Sequence, residues 1–174
     1  MIHLTNSKLA RSVWEVALDC LSRRAFTNHE LETRLKEKGF ESSDINQALT
    51  RLKDFGYLND QELALAYSKS RLKRYSRRRV LYDLKNRGLT PQIIEQALGE
   101  TYSSDEEFQQ CLSLAKQWWG QEVKRWEQRK TENTRAAQRE LWIQQRVARR
   151  LIQRGYPSDM VRSALNDAEQ IMPQ

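Results

Sequence analysis

Seven lysines and arginines stand among the eleven residues from Lys69 to Arg79, and no acid separates them. Such a run can hold a polyanion, because guanidinium forks match phosphate and carboxylate oxygens and every phosphate neutralised releases counterions. A second basic group follows at Arg139, Arg146, Arg149, Arg150 and Arg154. Lysines and arginines in series ordinarily mark the solvated face of a helix. Consecutive arginines without intervening Glu, however, forgo the i to i+4 ion pairs that such faces use. Arg71, Lys73, Arg74, Arg77, Arg78 and Arg79, with Arg146, Arg149, Arg150 and Arg154, are therefore the candidates for contact with nucleic acid or with an acidic protein.

Other chemistry is sparsely provided. The sequence contains no Gly-rich phosphate loop, no His/Cys/Asp cluster and no nucleophile with a local base pattern, so no catalysis and no cofactor is expected. His3 and His29 are the only histidines, and no paired-Cys motif accompanies them, which leaves a metal little to bind. Cys20 and Cys111 each fall in an apolar helical stripe and read as inert core thiols. Trp118, Trp119 and Trp126, beside Lys124 and Arg125, have the composition of a base-stacking platform; packing is the commoner use, and it is expected for at least two of them.

The elements that carry the arginines repeat. "RLKEKGF", "DLKNRGL" and "RLIQRGY" each end a basic, Leu-containing helix at a glycine, Gly39, Gly88 or Gly155. Four residues before each glycine stands Leu35, Leu84 or Leu151; eight before stands Leu31, Val80 or Val147; thirteen before stands Phe26, Tyr75 or Trp142. Ala48-Leu49, Ala97-Leu98 and Ala164-Leu165 follow each glycine at equal distance. A glycine in the left-handed conformation with apolar residues on both sides of the stop, Leu35 with Phe40, predicts a Schellman joint between two helices. Thr27 to Glu30, "TNHE", is a capping box for the helix before the joint. Ser42 or Ser43, Thr90 and Ser158 are expected to cap the helix after it.

A further helix precedes each pair. Trp14, Ala17, Leu18 and Leu21 form its apolar stripe in the first copy; Leu63, Ala66, Tyr67 and Ser70 are the expected stripe in the second; Phe108, Cys111, Leu112 and Ala115 supply it in the third. Asn59 or Asp60 and Ser103 or Ser104 are its expected caps. The predicted fold is all-α, three tandem three-helix repeats forming an elongated, curved helical array. Its units are residues 1–56, 57–101 (the basic one) and 102–174. The third carries 18 more residues than the second between Gly88 and Gly155, placed between its first and second helices as longer helix and a loop at "QRKTENTR".

A helix-turn-helix reader of DNA is disfavoured. The helices after the glycines carry Asp44, Glu95, Glu100, Asp159 and Asp167, which phosphate would repel, while the cations lie on the helices before them. The net charge of +7 still suits a polyanion. Arg11, Glu15 and Asp19 interrupt the first apolar stretch, and no run of about 18 apolar residues occurs. A cytoplasmic protein with no membrane partner is expected.

"FGYLNDQELALAYSKSRLKRYSRRRVLYDLKNRGL", with "ALDCLSRRAFTNHELETRLKEKGF" before it and "QRVARRLIQRGYPSDMVRSAL" after it, resembles the RecX family of bacterial regulators of the RecA recombinase. The Tyr57-Leu58-Asn59-Asp60 start, Tyr67, Arg71 and the Leu84 to Gly88 stop carry the likeness in combination. The resemblance implies a modular helical protein that binds RecA nucleoprotein filaments and suppresses their growth, ATP hydrolysis, strand exchange and co-protease action in DNA repair and the SOS response. It implies no catalytic residue. RecA filaments are thus the expected partner, single- and double-stranded DNA are further candidate partners, and the expected state is a monomer. Where the family usually has Gly and Pro, this chain has Arg74, Ser76 and Arg77, which makes the middle copy stiffer and more basic. The alternative reading is an autonomous, largely sequence-independent DNA-binding helical-repeat protein.

Overall fold

The protein is seen in a computed structural model that describes residues 11–128 and 136–171. Every regular element among the described residues is a helix: α1 (Val13–Arg23), α2 (Asn28–Glu37), α3 (Ser42–Asp54), α4 (Asp60–Arg71), α5 (Arg77–Asn86), α6 (Pro91–Gly99), α7 (Ser104–Glu127), α8 (Ala136–Gln153) and α9 (Ser158–Ile171). They pack in threes. Leu31, Leu35, Ile45, Leu49 and Leu52 close the first core, Val80, Leu84, Ile94 and Leu98 the second, and Val147, Leu151, Val161 and Leu165 the third. The repeat columns are thus the core itself. The connections reach slightly across: Leu58, ahead of α4, packs in the first core, and Tyr102, ahead of α7, in the second.

The three glycine stops form as expected. Gly39, Gly88 and Gly155 have φ of 85°, 77° and 89°. In each, the amide of the residue after the glycine reaches back to the Leu carbonyl: Phe40 to Leu35 at 3.3 Å, Leu89 to Leu84 at 3.4 Å and Tyr156 to Leu151 at 3.3 Å. Capping boxes start three helices, with Ser12, Thr27 and Ser103 paired to Glu15, Glu30 and Glu106. Asn59 Oδ1 accepts from the amides of Gln61 and Glu62 to start α4. Two expected caps are corrected. Glu41, with no side-chain bond, takes the position ahead of α3, so Ser42 and Ser43 are already inside it; Ser158 likewise lies in the first turn of α9. Thr90 does precede Pro91, but its side chain caps nothing.

The expected stripe of α4 is also corrected. Ala64 and Ser68 are buried, whereas Ala66 and Ser70 are exposed. Counting back from Gly88 misplaces α4 because the link to α5 is longer than the one between α1 and α2: Arg74 and Tyr75 both donate to the Arg71 carbonyl in an extra turn before Ser76. In the third unit the additional residues lengthen α7 and α8. Most of "QRKTENTR" lies outside the described residues.

Successive units dock by one rule: the glycine stop of one sits on the start of the preceding unit's second helix. At the first joint the Thr27 hydroxyl donates to the Arg87 carbonyl at 2.7 Å, and Arg87 forks onto Glu30 with Nε to Oε1 at 3.0 Å and Nη2 to Oε2 at 2.9 Å. Asp60 of α4 accepts from the Asn28 amide at 2.9 Å. At the second joint the Ser76 amide donates to the Arg154 carbonyl at 3.1 Å, and Glu107 of α7 accepts from the Arg77 amide at 2.7 Å. Chemistry differs where geometry does not. The position of Glu30 is taken by Arg79, so Arg154 forks no carboxylate among the described residues; it donates to the Arg74 carbonyl and lies 4.6 Å from the Tyr75 ring centroid. In the third unit the cap column holds Ile143, buried inside α8.

A pH dependence follows from the first joint. Burial raises the pKa of Glu30, but hydrogen bonds from Arg87 and the Thr27 amide, with the charges of Arg87 and Arg24, outweigh it and hold the carboxyl below its ordinary 4.5. A depressed carboxyl stabilises the fold above its unfolded pKa, and that contribution fades as pH falls through the folded value. Thermal melts from pH 7 to 3 should show the wild type losing stability more steeply below about pH 4.5 than Glu30→Gln. Parallel curves would mean that the fork contributes nothing.

Candidate polyanion-binding face

Spacings of three, four and eight residues put Arg146, Arg149 and Arg150 of α8, and Arg154 just past its end, on one side. The second joint brings this side against the α4–α5 link: Arg154 meets the Arg74 carbonyl, and Gln110 donates to the Lys73 carbonyl at 2.8 Å. A Cβ placed on Gly155 would lie 2.7 Å from Cβ of Arg79. Cations of two units that are far apart in sequence therefore form one strip across the joint.

The strip contains two kinds of cation. Arg71 is tucked against the rings of Tyr67 and Tyr75 at 5.0 and 5.1 Å, Arg77 pairs with Glu95 at 2.6 Å, and Arg79 pairs with Asp83 at 3.1 Å. These side chains brace α4, α5 and α6 as well as carrying charge. Lys73, Arg74, Arg78 and Arg149 are exposed, and none of them has an ion-pair partner among the described residues. Exposed cations without acids are the ones a polyanion can engage without first breaking a pair.

Farther along α8, Arg146 and Arg150 turn inward to Glu122, whose side chain is 0% exposed. Arg146 Nε donates to Oε2 at 2.6 Å, Arg125 Nη1 to Oε1 at 2.5 Å, and Arg150 Nη1 to Oε1 at 3.5 Å. Arg150 and Arg154 also lie over Trp118, at 4.2 and 5.8 Å, and Arg146 lies over Trp142 at 4.8 Å. Burial lowers the Arg150 pKa; Glu122 opposes this, and Arg125, Arg154 and Arg146 lower it further. Glu122 and Arg125 were missed from sequence. The signal was there, since Cys111, Ala115, Trp118 and Glu122 share the core-facing register of α7 and only the last is charged.

The tryptophans pack. Trp118 and Trp119 are buried in the third core, and Trp126 lies 5.2 Å from Trp142. Cys20 and Cys111 are free and buried, and burial, followed by the charge of Glu107, pushes the Cys111 thiol up to about 12, far from a reactive thiolate at neutral pH. A cleft of about 660 Å³ between α1 and α4 is lined mainly by apolar groups, among them Leu18, Leu21, Phe26 and Leu63, and by none of the candidate cations. No helix among the described residues is long and apolar enough to cross a membrane.

Stacked three-helix units with a cationic strip over their second joint define a tandem helical-repeat protein. The comparisons agree. A family model described as "RecX, first three-helix domain" matches residues 14–52, and "RecX, second three-helix domain" matches residues 59–98. The chain belongs to the RecX family. It is 36% identical over 92 residues to the regulatory protein RecX of Caldanaerobacter subterraneus subsp. tengcongensis, covering 52% of this chain and 47% of that protein. It is 28% identical over 167 residues to RecX of Geobacillus kaustophilus, covering 95% of this chain and 57% of the relative. The chain thus spans about half the length of the curated relatives it matches. The fold is similar to the crystal structure of RecX from Lactobacillus salivarius, with a TM-score of 0.68 at 19% identity over 91% of this chain and 96% of the other.

Proposed function

We propose that this RecX-family protein regulates the RecA recombinase by binding its nucleoprotein filaments through the cationic strip, depressing ATP hydrolysis, strand exchange and co-protease activity in repair and the SOS response. The reading places it in the cytoplasm as a monomer and treats residues 1–56, 57–101 and 102–174 as its three units. The observation that carries it is the strip itself, continuous across the second joint from Arg74 to Arg154 and along α8. An array of stacked helical repeats suits a surface ligand. The direct test is RecA on single-stranded DNA with ATP. Substoichiometric protein should slow hydrolysis, and a preparation that neither slows it nor binds the filament would end this reading.

Arg74→Glu together with Arg78→Glu should weaken filament binding about tenfold or more while leaving helicity intact, because neither side chain braces the fold. Reversing Arg77 and Arg79 would be a poorer test, since each already holds an acid. The four exposed cations without acids also support autonomous, largely sequence-independent DNA binding. That reading requires tight binding to naked DNA with a steep salt dependence. Weak binding to bare DNA beside strong binding to filaments excludes it.

A further inference from the structure

Three guanidiniums converge on the one carboxylate of Glu122, a surplus of two positive charges at a point where α7 and α8 meet. Their side chains remain 53%, 46% and 34% exposed for Arg125, Arg146 and Arg150, so the heads meet solvent while their common anchor does not. Each guanidinium has five N–H donors, and Glu122 occupies one of each. Stacking on Trp118 and Trp142 limits the orientations of Arg150 and Arg146. Cations crowded and oriented in this way have paid most of the ordering cost of binding before a ligand arrives.

We propose that Arg125, Arg146 and Arg150, positioned by Glu122, form a phosphate clamp that takes one phosphodiester of a nucleic acid strand. The proposal rests on the reading of this face as polyanion-binding and names what it binds. A phosphate fits better than a carboxylate. Its tetrahedral oxygens can accept from guanidiniums arriving outside any single plane, whereas the acceptor sites of a carboxylate all lie near one plane. A strand fits better than an isolated anion, because the strip continues past the clamp through Arg154 to Arg74.

Arg125 separates this from simple bracing. It lies on α7, three residues from Glu122, so its ion pair does nothing to hold α7 to α8. Bracing alone therefore predicts that Arg125→Gln is silent. The experiment is fluorescence anisotropy of a labelled oligo-dT of about twenty nucleotides with the full chain over a salt series. For Arg125→Gln the expected result is about tenfold weaker binding and a log–log salt slope smaller by about 0.7, with an unchanged thermal midpoint. Arg125→Lys should restore the slope but not the full affinity, since charge returns without the fork.

Unchanged oligo-dT binding by Arg125→Gln would overturn the clamp. So would sodium phosphate, against chloride at matched ionic strength, raising the wild-type melting point but not that of Arg125→Gln while oligo-dT binding stays equal: the site would then take free phosphate. A wild type that ignores oligo-dT yet binds RecA filaments would assign the face to an acidic protein and overturn it as well. Failure to slow RecA would strike the regulatory reading alone, because the oligo-dT measurement contains no RecA.

Discussion

Gly155→Ala is expected to destabilise the protein by about 3 kcal/mol and Gly39→Ala by only about 1, although both glycines end the same helix of the repeat. Both have positive φ, 89° and 85°, and both therefore incur the left-handed penalty of an L side chain. The difference lies in what surrounds them. A Cβ on Gly155 would meet Ser76 Oγ at 2.5 Å and Arg79 Cβ at 2.7 Å, whereas one on Gly39 would meet nothing within 4 Å. Ser76 is buried and caps α5, so it cannot move aside without giving up the Arg79 amide. Urea denaturation of the two variants reads the difference directly. Equal losses would mean that the second joint is looser than the structure has it.

Glu122→Ala should cost about 3 kcal/mol, the low end for breaking a buried ion pair because the guanidiniums keep access to water. The loss comes less from missing attraction than from what is left behind, since Arg125, Arg146 and Arg150 would face one another with no anion between them. Removing a second charge should therefore help. Glu122→Ala with Arg146→Met is expected to be more stable than Glu122→Ala alone by about 1 kcal/mol, a coupling that a double-mutant cycle measures. Salt should narrow the gap between wild type and Glu122→Ala by screening the remaining cations. A loss within about 0.5 kcal/mol, as for an ordinary surface position, would show that the cluster holds nothing.

Local grammar was readable from sequence, and contacts between units were not. The Schellman stops at Gly39, Gly88 and Gly155, the box at Thr27 and the cap at Ser103 each depend on residues within a few positions of one another. The stripe of α4 slipped because its phase was counted from Gly88 across a link of unequal length, and helical phase does not survive an extra turn. At Ser42 and Ser158, caps were assigned to serines because serine is a good cap; in the structure the chain enters each helix one residue earlier. The partners of Arg87 and Arg154 lie far off in sequence, in columns whose pairing becomes visible only when the units are stacked. Glu122 had a local signal, an acid in a core register, but its arginines come mostly from another helix. The basic run itself was plain, whereas its division into bracing and exposed cations depended on where Glu95 and Asp83 fall.

Ile143 stands where Thr27 and Ser76 offer their helix starts. A glycine stop brought to that place from another copy would meet the flank of α8, with its amides already spent on the helix and no hydroxyl to receive a carbonyl. The docking rule that joins the units thus cannot be applied again at this end. A further unit or a second copy would have to meet α8 by other contacts, so the cationic strip is not extended there in the way the first two joints are built.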